Sequence, residues 1–208
     1  KKPFFLYYSL TIPHEPLVPT DKFLGKSGIN RVADLILQMD ATVGTVLDAL
    51  KRLKLDQNTI VILTSDNGHG PGTGVPALIK ANHNPSRPFR GYKGSLLEGG
   101  HRIPFIVRWP SKVKENTVNN NIISLNSLMA TCAELLNIKL PSNAGEDSWS
   151  ILPLLLNKSN LARNPHTLVH AGVNGFAVRE GSWKLIEAKE VSGERQKTHP
   201  EASSGLYN

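Results

Sequence analysis

A single cysteine in 208 residues, Cys132, excludes an internal disulfide and any multi-cysteine zinc or iron–sulfur centre. It sits in SLMATCAELLNI, whose apolar positions recur at helical spacing, so it reads as a small buried hydrophobe rather than a nucleophile. No apolar run approaches the roughly 20 residues needed to cross a bilayer, and no membrane span is expected. The opening KKPFFLYYSL carries two lysines and an apolar run, but that run is too short for a secretory leader and lacks a small-residue cleavage site. No internal repeat or low-complexity tract is present. Lys plus Arg outnumber Asp plus Glu, 24 to 17, without any basic block or aromatic-interleaved basic stripe. Nucleic acid is therefore not the expected partner. A scattered charge of +7 suits an anionic small or polymeric substrate, unless it only offsets an acidic portion elsewhere.

What is there describes an ordinary globular chain, 39% hydrophobic and 20% charged, long enough for one large domain or a domain with a small partner. Residues 3–12, PFFLYYSLTI, read as a buried strand stopped by Pro13. Ile29, Val32, Ile36, Met39, Val43, Val46, Leu50 and Leu53 then alternate steps of three and four, which puts them on one helix face. KRLK closes that helix with cations, and TIVILTS follows as a strand. Strand, helix and strand in this order predict a βαβ-type unit with parallel strands. From Gly68 to Gly100 the regular pattern dissolves into a long Gly- and Pro-rich loop, a length that marks functional or disordered segments. IPFIVRWP is a further strand, a helix is expected around Leu125 to Leu136, and WSILPLLL is a short apolar segment. TLVHA, GFAVRE and WKLIEA alternate between Gly-rich turns and predict a small antiparallel sheet beyond a boundary near 157–165.

Three places could carry chemistry. Asp66-Asn67 ends the strand IVILTS, where open α/β sheets hold their ligands. A carboxylate beside an amide oxygen suits a hard cation, Ca²⁺ first and Mg²⁺ second, although Asp-Asn-Gly is also simply a good turn. His14, in TIPHEP, follows the first strand; it is either an ordinary loop histidine or a general acid near a cation-bound anion. Lys93 lies in RGYKGSLLEGG, where flanking glycines allow close backbone approach and the ammonium offers a point charge to an anionic oxygen. GYKGS lacks the upstream glycine spacing of a P-loop, and GHGPGTG is no dinucleotide fingerprint, because Pro71 removes an amide donor. His69 and His83 in the long loop either reach substrate or stand in solvent. Glu98 and Arg102 are expected to hold the loop to the sheet, and Asp40 either pairs with a neighbour or caps a backbone group.

Taken in order, PFFLYYSLTIPHEP, ILTSDNG and RGYKGSLLEGGHRIPFIVRWP closely resemble the formylglycine-dependent sulfatases of the alkaline-phosphatase-like superfamily. SLMATCAELLNIKLP, SWSILPLLL, AVREGSWKLI and GLYN agree with it, so the likeness spans nearly the whole chain. The resemblance implies an α/β fold: part of a mixed, mostly parallel sheet flanked by helices over residues 1–160, and the start of an antiparallel subdomain over 161–208. It implies a sulfuric ester hydrolase acting on a sulfated small molecule or glycan, in periplasm, lysosome or outside the cell. By the same resemblance Asp66 and Asn67 match two cation ligands, with Ca²⁺ the expected metal. Lys93 matches the lysine on the sulfate and bridging oxygen, and His14 the histidine near the leaving oxygen. The family's nucleophile motif, Cys or Ser followed by x-Pro-x-Arg, and its early Asp-Asp pair are not in this sequence; Cys132 precedes Ala-Glu-Leu and cannot replace the former. The formylglycine is thus expected on a residue outside this chain. The chain is expected to be a middle-to-late portion, inactive alone. Two other readings stay open: a phosphatase or phosphonate hydrolase of the superfamily, which often has Asp-His at 66–67 and then takes zinc or manganese, and a non-catalytic polyanion-binding relative.

Overall fold

The structure is a computed structural model that describes residues 2–158, 167–172, 175–188 and 204–208. Its longest element is α1, Arg31–Arg52. Asn30 caps it from an extended backbone, its side chain accepting the amide of Ala33 at 2.9 Å. Asp34 in the first turn and Lys51 and Arg52 in the last complement the helix dipole. Of the expected apolar face, Val32 and Leu50 are buried and Met39, Val43 and Val46 half-buried. Ile36 and Leu53 remain exposed, and Ile29 lies before the helix begins. Asp40 is exposed. Asp34 is the buried surprise: its carboxylate accepts the amides of Gly25 and Ser27, each at 2.8 Å. The backbone hydrogen bond from Ser27 is the chief cause holding its pKa below the usual value, and it ties the loop before α1 to the helix.

The helix leads to β1 (Val61–Thr64), which pairs antiparallel with β2 (Phe105–Arg108) through Val61↔Arg108 to Thr64↔Phe105. This corrects the βαβ expectation. Residues 3–12 form no strand among the described residues, and Phe5 and Tyr7 are about four-fifths exposed, at 80% and 82%. A run of apolar side chains marks a segment that fits a sheet, but a strand also needs a neighbour's amides and carbonyls, and here none is offered. The pairings among the described residues are all antiparallel, so no parallel pair of the expected mostly parallel sheet is formed.

The stretch from Gly68 to Gly100 is more regular than its sequence suggests. It contains α2 (Val75–Lys80) and runs into α3 (Glu98–His101). Asn30 donates to the carbonyl of Gly74 at 3.2 Å, joining the starts of α1 and α2. Beyond β2 lie α4 (Ser127–Leu135) and α5 (Leu152–Leu155), with Cys132 half-buried on α4. Thr131 joins them: its hydroxyl donates to the Ser127 carbonyl at 2.7 Å and accepts the amide of buried Ile151 at 3.0 Å.

The expected antiparallel sheet is present, in the order β3 (Thr167–Gly172), β4 (Gly175–Glu180), β5 (Trp183–Ala188) and β6 (Gly205–Tyr207). The expected boundary falls largely outside the described residues. Period-2 alternation turns Ala177 and Ile186 inward, where they enclose Leu96 from the long loop; all three are at most 3% exposed. The sheet is therefore clamped onto the segment that carries Lys93.

Candidate active site

Strand β1 delivers Ser65, Asp66 and Asn67 to one end of the two-stranded sheet. The Ser65 hydroxyl donates to the Asn67 carbonyl at 2.9 Å, and the Asn67 side-chain amide donates to the Gly68 carbonyl at 3.0 Å. That leaves the Asn67 side-chain oxygen as an acceptor, next to the exposed carboxylate of Asp66. These are two hard oxygen donors, which fit Ca²⁺ or Mg²⁺ as part of a coordination shell. Among the described residues no group of three or more His, Cys, Asp or Glu side chains converges to complete one.

The next residues cross the Lys93 segment at van der Waals limits. Gly68 donates to the Gly100 carbonyl at 2.9 Å, and Lys93 donates its amide to the His69 carbonyl at 2.9 Å. A Cβ at Gly68 would stand 1.8 Å from the Gly99 carbonyl oxygen, and one at Gly99 would stand 2.2 Å from that of Gly91. The crossing can exist only without side chains there. Lys93 itself stands between Gly91 and Gly94, both at positive φ.

His14 comes to the same place from 79 residues away. Its Nε2 lies 3.5 Å from Lys93 Nζ, and its Nδ1 lies 3.0 Å from the Glu15 carbonyl. A carbonyl only accepts, so Nδ1 carries the hydrogen in the neutral ring and Nε2 presents a lone pair to the lysine ammonium. The structure thus joins His14 to Lys93, and joins the turn after Asp66 and Asn67 to the Lys93 segment through backbone hydrogen bonds. His69 is half-buried, with Nε2 at 3.0 Å from the Thr73 carbonyl and 3.1 Å from its hydroxyl. Burial lowers its pKa, and the charge of His83 lowers it further. His83 is exposed, just past the end of α2.

Behind Lys93 lies a cluster that sequence reading found only in part. Glu98 holds the loop to the sheet, as expected, and its sheet partners, which local sequence pattern does not reveal, come from β4 and β5. Its Oε1 accepts from Lys184 Nζ at 2.9 Å, and its Oε2 from Arg179 at 2.7 Å and Arg102 at 3.4 Å. Lys184 Nζ is also 3.0 Å from His101 Nε2, and the His101 and His170 rings stack at 3.7 Å. Burial acts most strongly on Glu98 and would raise its pKa. Hydrogen bonds from His101 and Lys184, with the charges of Lys184 and Arg179, outweigh it and hold the carboxyl far below its usual range. His170 is pushed down to about 4, by burial first and then by His101. A lowered histidine pKa means that the unfolded chain binds more protons between pH 6.5 and 4, so this stability is complete above pH 6.5 and drains as pH falls toward 4. Discounted for partial exposure, the expected loss is about 1 kcal/mol between pH 7 and pH 5, read from urea midpoints, and His170→Gln should abolish that share.

With the geometry in view, similarity to known proteins places the chain. One solved structure superposes on all of it with a TM-score of 0.89 at 39% identity, over 44% of its own chain; it comes from a study of glycosaminoglycan metabolism by Bacteroides thetaiotaomicron. The fold is that of the alkaline-phosphatase-like α/β hydrolases. Within that class the chain belongs to the sulfatase family, whose model matches residues 1–138. An N-acetylgalactosamine-6-O-sulfatase of Bacteroides thetaiotaomicron is 41% identical over 195 residues, 92% of this chain and 38% of that protein. The N-acetylgalactosamine-6-sulfatase of Mus musculus is 34% identical over 186 residues, 88% of this chain and 34% of its own length. The chain thus spans less than half the length of these relatives. No helix among the described residues is long and apolar enough to cross a membrane.

Proposed function

We propose that this chain supplies the lysine–histidine side and two cation ligands of a sulfatase centre acting on a sulfated glycan, with 6-O-sulfated N-acetylgalactosamine the first substrate to try. The observation that carries the reading is the 3.5 Å approach of His14 Nε2 to Lys93 Nζ in a chain of the sulfatase family. Lys93 places a fixed positive charge where a sulfate oxygen would sit, which neutralises charge as the S–O bond lengthens. His14 Nε2, at the same place, is positioned to pass a proton to the departing ester oxygen. Asp66 and Asn67 would hold part of the shell of a Ca²⁺ ion, which supplies Lewis-acid stabilisation of the sulfate oxygens when bound. His69 and His83 are assigned to the substrate side of the loop. The relatives' names supply the sugar: both sulfatases act at the 6-position of N-acetylgalactosamine by name.

The family's Cys/Ser-x-Pro-x-Arg motif is not among these 208 residues, so the purified chain should release no sulfate from an aryl sulfate, with or without Ca²⁺. Ca²⁺-dependent release above the buffer rate would overturn this division of labour. In a protein of full family length carrying these residues, rates on matched aryl sulfate and aryl phosphate, with metal content, decide the chemistry. Sulfate preference with bound calcium supports the reading; phosphate preference with zinc or manganese replaces it with the phosphatase alternative.

A further inference from the structure

Three adjacent strands of the C-terminal sheet grip one short piece of the Lys93 segment. From β3, His170 Nε2 lies 3.4 Å from the Ser95 carbonyl. From β4, Arg179 binds Glu98 at 2.7 Å, and Ala177 packs on Leu96. From β5, Lys184 binds Glu98 at 2.9 Å, and Ile186 packs on Leu96. Lys184 is 6% exposed, an ammonium taken out of water. Burying such a pair is a poor route to stability, because desolvation offsets the attraction and an apolar pair of similar volume does as well. What an ion pair adds is a defined geometry. Glu98 lies five residues after Lys93, whose amide donates to the His69 carbonyl at 2.9 Å.

We propose that Lys184 and Glu98 are positioning residues: the C-terminal sheet, through this buried pair, sets where the Lys93 ammonium stands relative to His14. The inference deepens the proposed function and rests on its reading of Lys93, but its test needs neither substrate nor turnover. The measurement is NMR on this chain. It follows amide hydrogen exchange at Lys93, with the α1 amide of Asp34 as internal control, and the cross-peak between the His14 ring and the Lys93 side chain.

The Lys184→Met variant keeps the bulk and removes the charge. Its Lys93 amide should exchange about tenfold faster, with the Asp34 amide unchanged and the His14–Lys93 cross-peak lost. Lys184→Arg should restore both, since a guanidinium can still reach the Glu98 carboxylate. The milder Glu98→Gln, which keeps shape and hydrogen-bonding capacity, should give the same pattern at about threefold if Lys184→Met loses the sheet altogether. Two results would overturn the proposal. One is an unaltered Lys93 amide and cross-peak in both Lys184→Met and Glu98→Gln. The other is acceleration that is equal at Lys93 and Asp34, which would make the pair a purely structural support. Failure of the sulfate assays described above would leave these outcomes untouched, so the two readings fall separately.

Discussion

Gly68→Ala should destabilise the chain by about 3 kcal/mol, a large effect for one methyl group. The added Cβ would occupy the place of the Gly99 carbonyl oxygen, 1.8 Å away, and neither atom belongs to a flexible side chain that could swing aside. Relief must come from separating the turn after β1 from the Lys93 segment, which breaks the Gly68–Gly100 and Lys93–His69 hydrogen bonds, both 2.9 Å. The urea midpoint should fall and the Lys93 amide should lose protection. Gly44→Ala is the control: it lies in the middle of α1 with nothing within 4 Å of a new Cβ, so it should stabilise by about 0.5–1 kcal/mol. Equal midpoints for the two variants would mean that the two loops do not cross as described.

Lys93→Ala should lower kcat/KM for sulfate-ester hydrolysis by about 10²–10³ in a protein of full family length that carries these residues. The charge would be lost at the point where it counters the developing oxyanion, and His14 would lose the ammonium that faces its Nε2. Lys93→Arg should recover only part of the loss. Its fork keeps the charge but spreads it over three nitrogens, and so cannot place a point charge 3.5 Å from the imidazole. A loss under tenfold for Lys93→Ala would remove the lysine from the reaction centre.

Much of this arrangement is written locally. The period of α1, the strand ending in Asp66-Asn67 and the alternating β3, β4 and β5 all follow from spacing, because each element's own side chains decide which face turns inward. The first apolar segment departs from its expected strand for the opposite reason. PFFLYYSLTI states a preference for a sheet but says nothing about which backbone would pair with it, and among the described residues none does. The Glu98 cluster lies between these cases. Glu98 could be assigned to the loop's attachment from its position, yet its partners stand more than 80 residues away, beyond local pattern. A signal did exist in WKLIEA. Lys184 lies two residues before Ile186, in phase with the inward face, so a lysine there had to find a buried anion. Asp34 gave no such hint: two residues from Val32 and Ile36 it turns away from the expected apolar face, and what it binds is the backbone of Gly25 and Ser27.

In the proposed centre His14, Lys93 and the Asp66-Asn67 pair serve one bound ester and its cation. Titrating the isotopically labelled 208-residue chain with sodium sulfate, at fixed Ca²⁺ and then without it, tests this directly. The expected result is that the His14 ring, the Lys93 ammonium and the Asn67 side-chain amide shift together along one saturation curve, which weakens when Ca²⁺ is withdrawn. Shifts that leave these three groups still, or that move them with unrelated midpoints, would show that they do not form a common site.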